Sequence, residues 1–220
     1  MTASRTPEAK PLLRGWLHVG CFFLAVPIAV ALVFSATSTT ARVAAAVYGV
    51  GVVALFGVSG SYHRGRWSPV WRSRMQRLDH TTIFVTIAGS YTPICLLVLE
   101  GWLSIAMLAL AWAGAAVGGI LAWTRSRRVD GVRFGLYIAL GWAAVFAAPQ
   151  LVSNLTVGQL ALIALGGVLF TVGAIFLATN WPDPFPRVFG YHEIWHVLVV
   201  AATACHMVAI ASVIQGTGPT

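Results

Sequence analysis

Seven runs of continuously apolar residues, at about 15–35, 41–62, 79–99, 102–123, 132–152, 156–178 and 192–214, are separated by short polar breaks. Each comes close to the roughly 20 residues that an α-helix needs to cross the hydrocarbon core of a bilayer. The runs do not alternate apolar with polar positions, which excludes strands as the spanning elements. The predicted fold is all-α, a seven-transmembrane helix bundle. The first run is too long for the apolar core of a signal peptide and no small-x-small cleavage site follows it, so it counts as a span. The expected organisation is a short N-terminal segment (1–14), a membrane domain (15–214) and a short C-terminal tail (215–220).

Composition agrees. Hydrophobic residues make up 58% of the 220 positions and charged residues 9%, with a mean hydropathy of +0.82. An ordinary soluble domain carries about 25% charged residues. The net charge of +8 raises the possibility of nucleic acid as a partner, and the placement of the basic residues removes it. Arg5, Lys10 and Arg14 precede span one. Arg64, Arg66, Arg72, Arg74 and Arg77 follow span two, Arg125, Arg127, Arg128 and Arg133 follow span four, and Arg187 precedes span seven. By parity these all lie on one side, and Arg42 alone lies on the other. The positive-inside rule then puts the N-terminus in the cytoplasm and the C-terminus outside. The loop RGRWSPVWRSRMQR interleaves Arg with Trp67 and Trp71, as an anchor on anionic headgroups does. Cys21, Cys95 and Cys205 are odd in number and form no C-x-x-C pair, so they read as small buried residues. Gly114 and Gly118 form a G-x-x-x-G that reads as close packing within the bundle.

Polar side chains inside spans are costly, which makes them functional candidates. His63 and Ser59, four residues apart, share a face at the cytoplasmic end of span two. Asp79 and His80 open span three at the same level. His192 and His196 open span seven, also at that level and also on one face. Two His at i and i+4 plus a third from another helix make a three-nitrogen zinc site with a fourth position for water, the catalytic arrangement rather than the structural one. Asp79 and Ser59 are placed to hold or deprotonate that water. An ion pair with Arg74 or Arg77 is the competing role for Asp79. His18 is a candidate pocket residue at the same level. His206 lies ten residues past His196, about 15 Å deeper, and cannot join the site. His192-Glu193-Ile194-Trp195-His196 spells H-E-x-x-H, but on a helix Glu193 is rotated about 100° from His192.

Three stretches resemble a known family. Ser59-Gly60-Ser61-Tyr62-His63 is similar to the span-two motif of hemolysin III-type proteins. Arg77-Leu78-Asp79-His80 with Ile87-Ala88-Gly89-Ser90-Tyr91-Thr92-Pro93 resembles their span-three motif. Phe189-Gly190-Tyr191-His192-Glu193-Ile194-Trp195-His196, ending at Cys205-His206, resembles their span-seven motif. That family is the bacterial branch of the progestin and adipoQ receptor superfamily, related to alkaline ceramidases, and its members are also described as membrane homeostasis proteins. The resemblance implies seven helices, a cytoplasmic N-terminus, a multi-pass location in the bacterial plasma (inner) membrane, and zinc held by His63, His192 and His196. It implies that Ser59 and Asp79 act on zinc-bound water. Relatives carry Gln where Glu193 stands, and many carry Glu and Asn before the span-one His, where this chain reads Arg14-Gly15-Trp16-Leu17-His18.

The expected activity is zinc-dependent hydrolysis of an amide or ester bond in a membrane lipid. The rival reading is a non-enzymatic receptor or sensor of membrane state with structural zinc. A pore ranks lower, because it needs polar residues on both sides of the midplane. An intramembrane metalloprotease ranks lower too, because no acidic residue follows Glu193 to serve as a third ligand.

Overall fold

The computed structural model of the chain describes residues 10–124 and 127–216. Of the expected terminal segments, residues 1–9 and 217–220 lie outside the described residues, as does Arg125. The described chain is helical: α1 (Trp16–Ser35), α2 (Thr39–Arg64), α3 (Pro69–Leu97), α4 (Gly101–Trp123), α5 (Arg127–Trp142), a 3₁₀ turn (Ala143–Ala147), α6 (Ala148–Asn154), α7 (Val157–Thr179) and α8 (Tyr191–Ile214). Among the described residues the only β feature is an isolated bridge between Phe185 and Phe189. Seven helical segments are long and apolar enough to cross a membrane, the fifth being α5, the 3₁₀ turn and α6 together.

Local sequence sets the helix ends. The Ser38 and Ser68 hydroxyls accept from Ala41 N–H and Trp71 N–H, capping α2 and α3. Thr156 and Gln159 form a capping box at α7. The α3 cap corrects one expectation. Pro69, at a first-turn position that suits it, starts the helix ten residues before the apolar run, so Arg72, Arg74 and Arg77 sit on a helix rather than in a loop.

Span five is also not one continuous helix. Pro149, with no N–H to donate, lies in the first turn of α6, and the chain before it tightens into the 3₁₀ turn. The Tyr91 hydroxyl donates to Leu140 O at 2.8 Å, just before that break.

The bundle has the burial pattern of a chain solvated by lipid. Phe23, Leu24 and Phe34 of α1 face outward, while His18, Ala25 and Leu32 form its inward stripe. The small-residue-rich α2 is the most buried span and packs on α1 and α3. One buried cluster joins α1, α2 and α8, and a second joins α3, α4 and span five. In α4, Gly114 lies against the Leu140 side chain and Gly118 against the Phe84 ring, leaving no room for a Cβ. The G-x-x-x-G face is thus consumed inside the bundle.

Successive spans run antiparallel, so the basic segments share one end. Arg77 lies over Trp123, joining the start of α3 to the end of α4, and Arg14 pairs with Glu193, joining the start of α1 to that of α8. At the opposite end, Gln159 Nε2 donates to Ser212 Oγ and the Glu100 N–H donates to Gln150 Oε1.

Candidate metal centre

His63 is in the last turn of α2, and His192 and His196 are in the first two turns of α8. One ring nitrogen from each lies within 4.8 Å of the others, an arrangement that can hold a metal ion. His63 Nε2 and His192 Nε2 face each other at 3.3 Å. A metal–nitrogen bond of about 2.05 Å in tetrahedral geometry puts neighbouring ligand nitrogens roughly 3.3 Å apart. The observed spacing therefore suits a small tetrahedral cation. The donor set fits as well, since three largely buried imidazoles are borderline ligands that suit zinc. The i, i+4 spacing that prompted the reading puts His192 and His196 on one face, and their ring centroids are 4.7 Å apart.

Asp79, on α3, lies 4.0 Å through Oδ2 from His63 Nε2. It does not turn to Arg74 or Arg77, which lie over Trp71 and Trp123. Ser59 is buried one turn before His63, beside the Asp79 carboxyl. Both line, together with His192 and His196, a cavity of about 340 Å³ that runs into the bundle between α3, α5, α7 and α8. Its deeper wall is mostly apolar, with Ile87, Ile94, Phe170 and Ile210 among the lining residues. His80 and His206 reach the cavity too. His206 Nε2 sits 3.2 Å from Ile163 O, so it bonds within the bundle as well as lining the space.

Glu193 belongs elsewhere. It is 3% exposed, its Oε1 pairs with Arg14, and its Oε2 accepts from Gly190 N–H at 2.8 Å. The carboxylate caps its own helix, where negative charge is favoured, and Asp183 adds a second cap by accepting from Tyr191 N–H. The H-E-x-x-H string thus contributes two of the grouped imidazoles and a structural acid.

The segment before α1 closes over this end. Leu12 and Leu13 N–H donate to Arg187 O and Val188 O, and Lys10 Nζ donates to His63 O at 3.2 Å. Burial and the nearby Arg72, Arg14 and Arg64 push the Lys10 ammonium below the ordinary lysine range. Gly15 has φ 81°, and a Cβ there would run into the His63 Cβ, so both the backbone and the space call for glycine. Sequence reasoning missed this strap. Gly15 beside Arg14 was its one local trace.

Residues 8–207 match the family described as Haemolysin-III related. The chain is 35% identical to "Hemolysin-3" of Bacillus cereus over 185 residues, 82% of this chain and 81% of that protein. It is 33% identical to "Hemolysin-3 homolog" of Bacillus subtilis over 59% of this chain and 58% of that one. It is also 30% identical to the human "Monocyte to macrophage differentiation factor" over 77% of this chain and 69% of that one. The chain belongs to the hemolysin III family, and its similarity to the human protein agrees with the expected link to the progestin and adipoQ receptor superfamily. It is a multi-pass membrane protein.

Proposed function

We propose that the protein is a zinc-dependent hydrolase of lipid amide or ester bonds, of the ceramidase type, working in membrane lipid homeostasis from the cytoplasmic side of the bacterial inner membrane. The observation that carries this reading is the grouping of three imidazoles, two of which line a mostly apolar cavity beside the Asp79 carboxyl. The basic residues at the same end support the cytoplasmic orientation.

His63, His192 and His196 would hold the ion. Zinc bound there supplies a Lewis acid that polarises a carbonyl oxygen and acidifies a water. The apolar wall takes the acyl chain and keeps bulk water from the scissile bond. Asp79 accepts the proton that water gives up as it adds to the carbonyl carbon. It then returns that proton to the departing amine or alcohol, so the products are a fatty acid and the amine or alcohol. Ser59 orients the Asp79 carboxyl.

The test is release of free fatty acid from ceramides and phospholipids by detergent-purified protein, wild type beside Asp79→Asn. Turnover that is lost in the variant while its metal content is kept supports the reading. Equal release by both contradicts it.

One observation favours a second reading. The three His come from α2 and α8 only, and α2 packs chiefly on α1 and α3 while α8 packs chiefly on α7. A metal there would clamp the two, as a structural ion in a sensor of membrane state does. That reading predicts a large loss of thermal stability on chelation and no turnover of any lipid.

A further inference from the structure

α8 presents one continuous face to the cavity. His192, His196, Val199, Thr203, His206 and Ile210 follow one another at intervals of three and four residues, and all of them line it. The metal centre uses the first two. His206 lies ten residues past His196, about 15 Å deeper, well inside a hydrocarbon core about 30 Å thick. A polar side chain at that depth is costly and is a functional candidate.

The two ring nitrogens of His206 have different surroundings. Nε2 sits 3.2 Å from Ile163 O. A carbonyl only accepts, so Nε2 carries the proton, and in the neutral imidazole Nδ1 is then a bare acceptor. Gly166 of α7 makes the approach possible. A Cβ there would collide with Cδ2 and Nε2, so that edge of the ring lies against α7 and the Nδ1 side is turned away from it. Nδ1 has no hydrogen-bond partner among the described residues. Nor is it sealed off, since the enclosed unpartnered side-chain atoms belong to His18, Tyr48 and Thr203. The ring is partly exposed on the face that lines the cavity. His18 is the opposite case, 2% exposed and stacked on the His196 ring with centroids 3.9 Å apart.

The wall around His206 is apolar, formed by Ile163, Ile210 and the Phe170 ring, whose centroid is 5.6 Å away. A single acceptor in such a wall selects for a hydrogen-bond donor. Plain acyl chains, double bonds, carbonyls and esters have none, and a hydroxyl does. We propose that His206 is a specificity-determining residue of the cavity, whose Nδ1 accepts a hydrogen bond from a hydroxyl group midway along a bound acyl chain. The hydrolase reading enters only through the direction of that chain. With the carbonyl end at the imidazoles, the middle of the chain falls beside His206.

The test is calorimetric binding of oleate and of ricinoleate, which is oleate with one mid-chain hydroxyl, to full-length protein in detergent. Wild type is set beside His206→Asn and His206→Leu. The two replacements have nearly the same shape and neither reaches Ile163 O, but only Asn keeps an acceptor at the Nδ1 position. Comparing the ratio of the two affinities across the variants cancels any difference in how the two acids enter the micelle. The expected result is oleate affinity unchanged throughout, and a preference for ricinoleate that Asn retains and Leu lowers roughly tenfold, the effect of burying a hydroxyl without its partner. Equal ratios in all three proteins, or equal loss in Asn and Leu, make His206 a structural tie between α7 and α8 and overturn the proposal. Wild-type protein that binds neither acid overturns it too. Protein that hydrolyses no lipid yet shows the expected pattern sinks the hydrolase reading and leaves this one standing. Protein that hydrolyses lipids and gives equal ratios does the reverse.

Discussion

Arg14 and Glu193, 179 residues apart, form a partly buried ion pair that fastens the chain before α1 to the first turn of α8. With both carboxylate oxygens engaged, Glu193 has none to offer the neighbouring His192 and His196. The pair instead holds the end of α8 from which those two imidazoles project, and Lys10 holds the backbone carbonyl of His63 from the same strap. Positioning of the site is thus shared by three segments that have no local sequence relation.

Glu193→Gln should keep its metal, because it removes a charge that faces the strap and not the site. Arg14→Ala should be the more damaging change. It leaves a buried carboxylate without its cation, at a cost of about 3 kcal/mol. Metal analysis and thermal melts on both variants check this, and loss of metal in Glu193→Gln would show that Glu193 acts on the site directly.

Tyr91→Phe should destabilise by about 1–2 kcal/mol, because Leu140 O then loses the donor that serves it ahead of the 3₁₀ turn. Tyr91 also lines the cavity. Metal content should nonetheless be unchanged, since the residue lies three helical turns from Asp79. Thermal melts and metal analysis read both.

Neighbouring glycines of α4 should respond in opposite directions. Gly118→Ala drives a methyl into the Phe84 ring and should cost about 1–3 kcal/mol. Gly119→Ala meets only Thr81 Cγ2 at 3.5 Å, an ordinary contact, and should gain up to about 1 kcal/mol from helix propensity. Parallel melts of the two variants suffice to decide it.

Much of this was legible in the sequence because the bilayer imposes simple rules. Apolar length gave the seven spans, and the Arg positions grouped their ends. With those ends grouped, His63, Asp79, His192 and His196 had to fall at one level, and the structure brings them together. What the apolar runs concealed was helix outside them. The first ten residues of α3 break the apolar run with Arg72, Arg74 and Arg77, and only Ser68-Pro69 marks where that helix begins. The break in span five was hidden for the opposite reason, since apolar residues continue through Pro149 without interruption. The Arg14–Glu193 pair and the His18–His196 stack join residues 179 and 178 positions apart, and no periodicity records contacts of that range.

The central claim is that His63, His192 and His196 hold a zinc ion. The most direct measurement is metal content by mass spectrometry on detergent-purified protein, wild type beside His196→Ala. The account predicts about one zinc per chain in the wild type and none in the variant. Wild-type protein that stays metal-free after zinc supplementation, or a variant that retains its zinc, would contradict it.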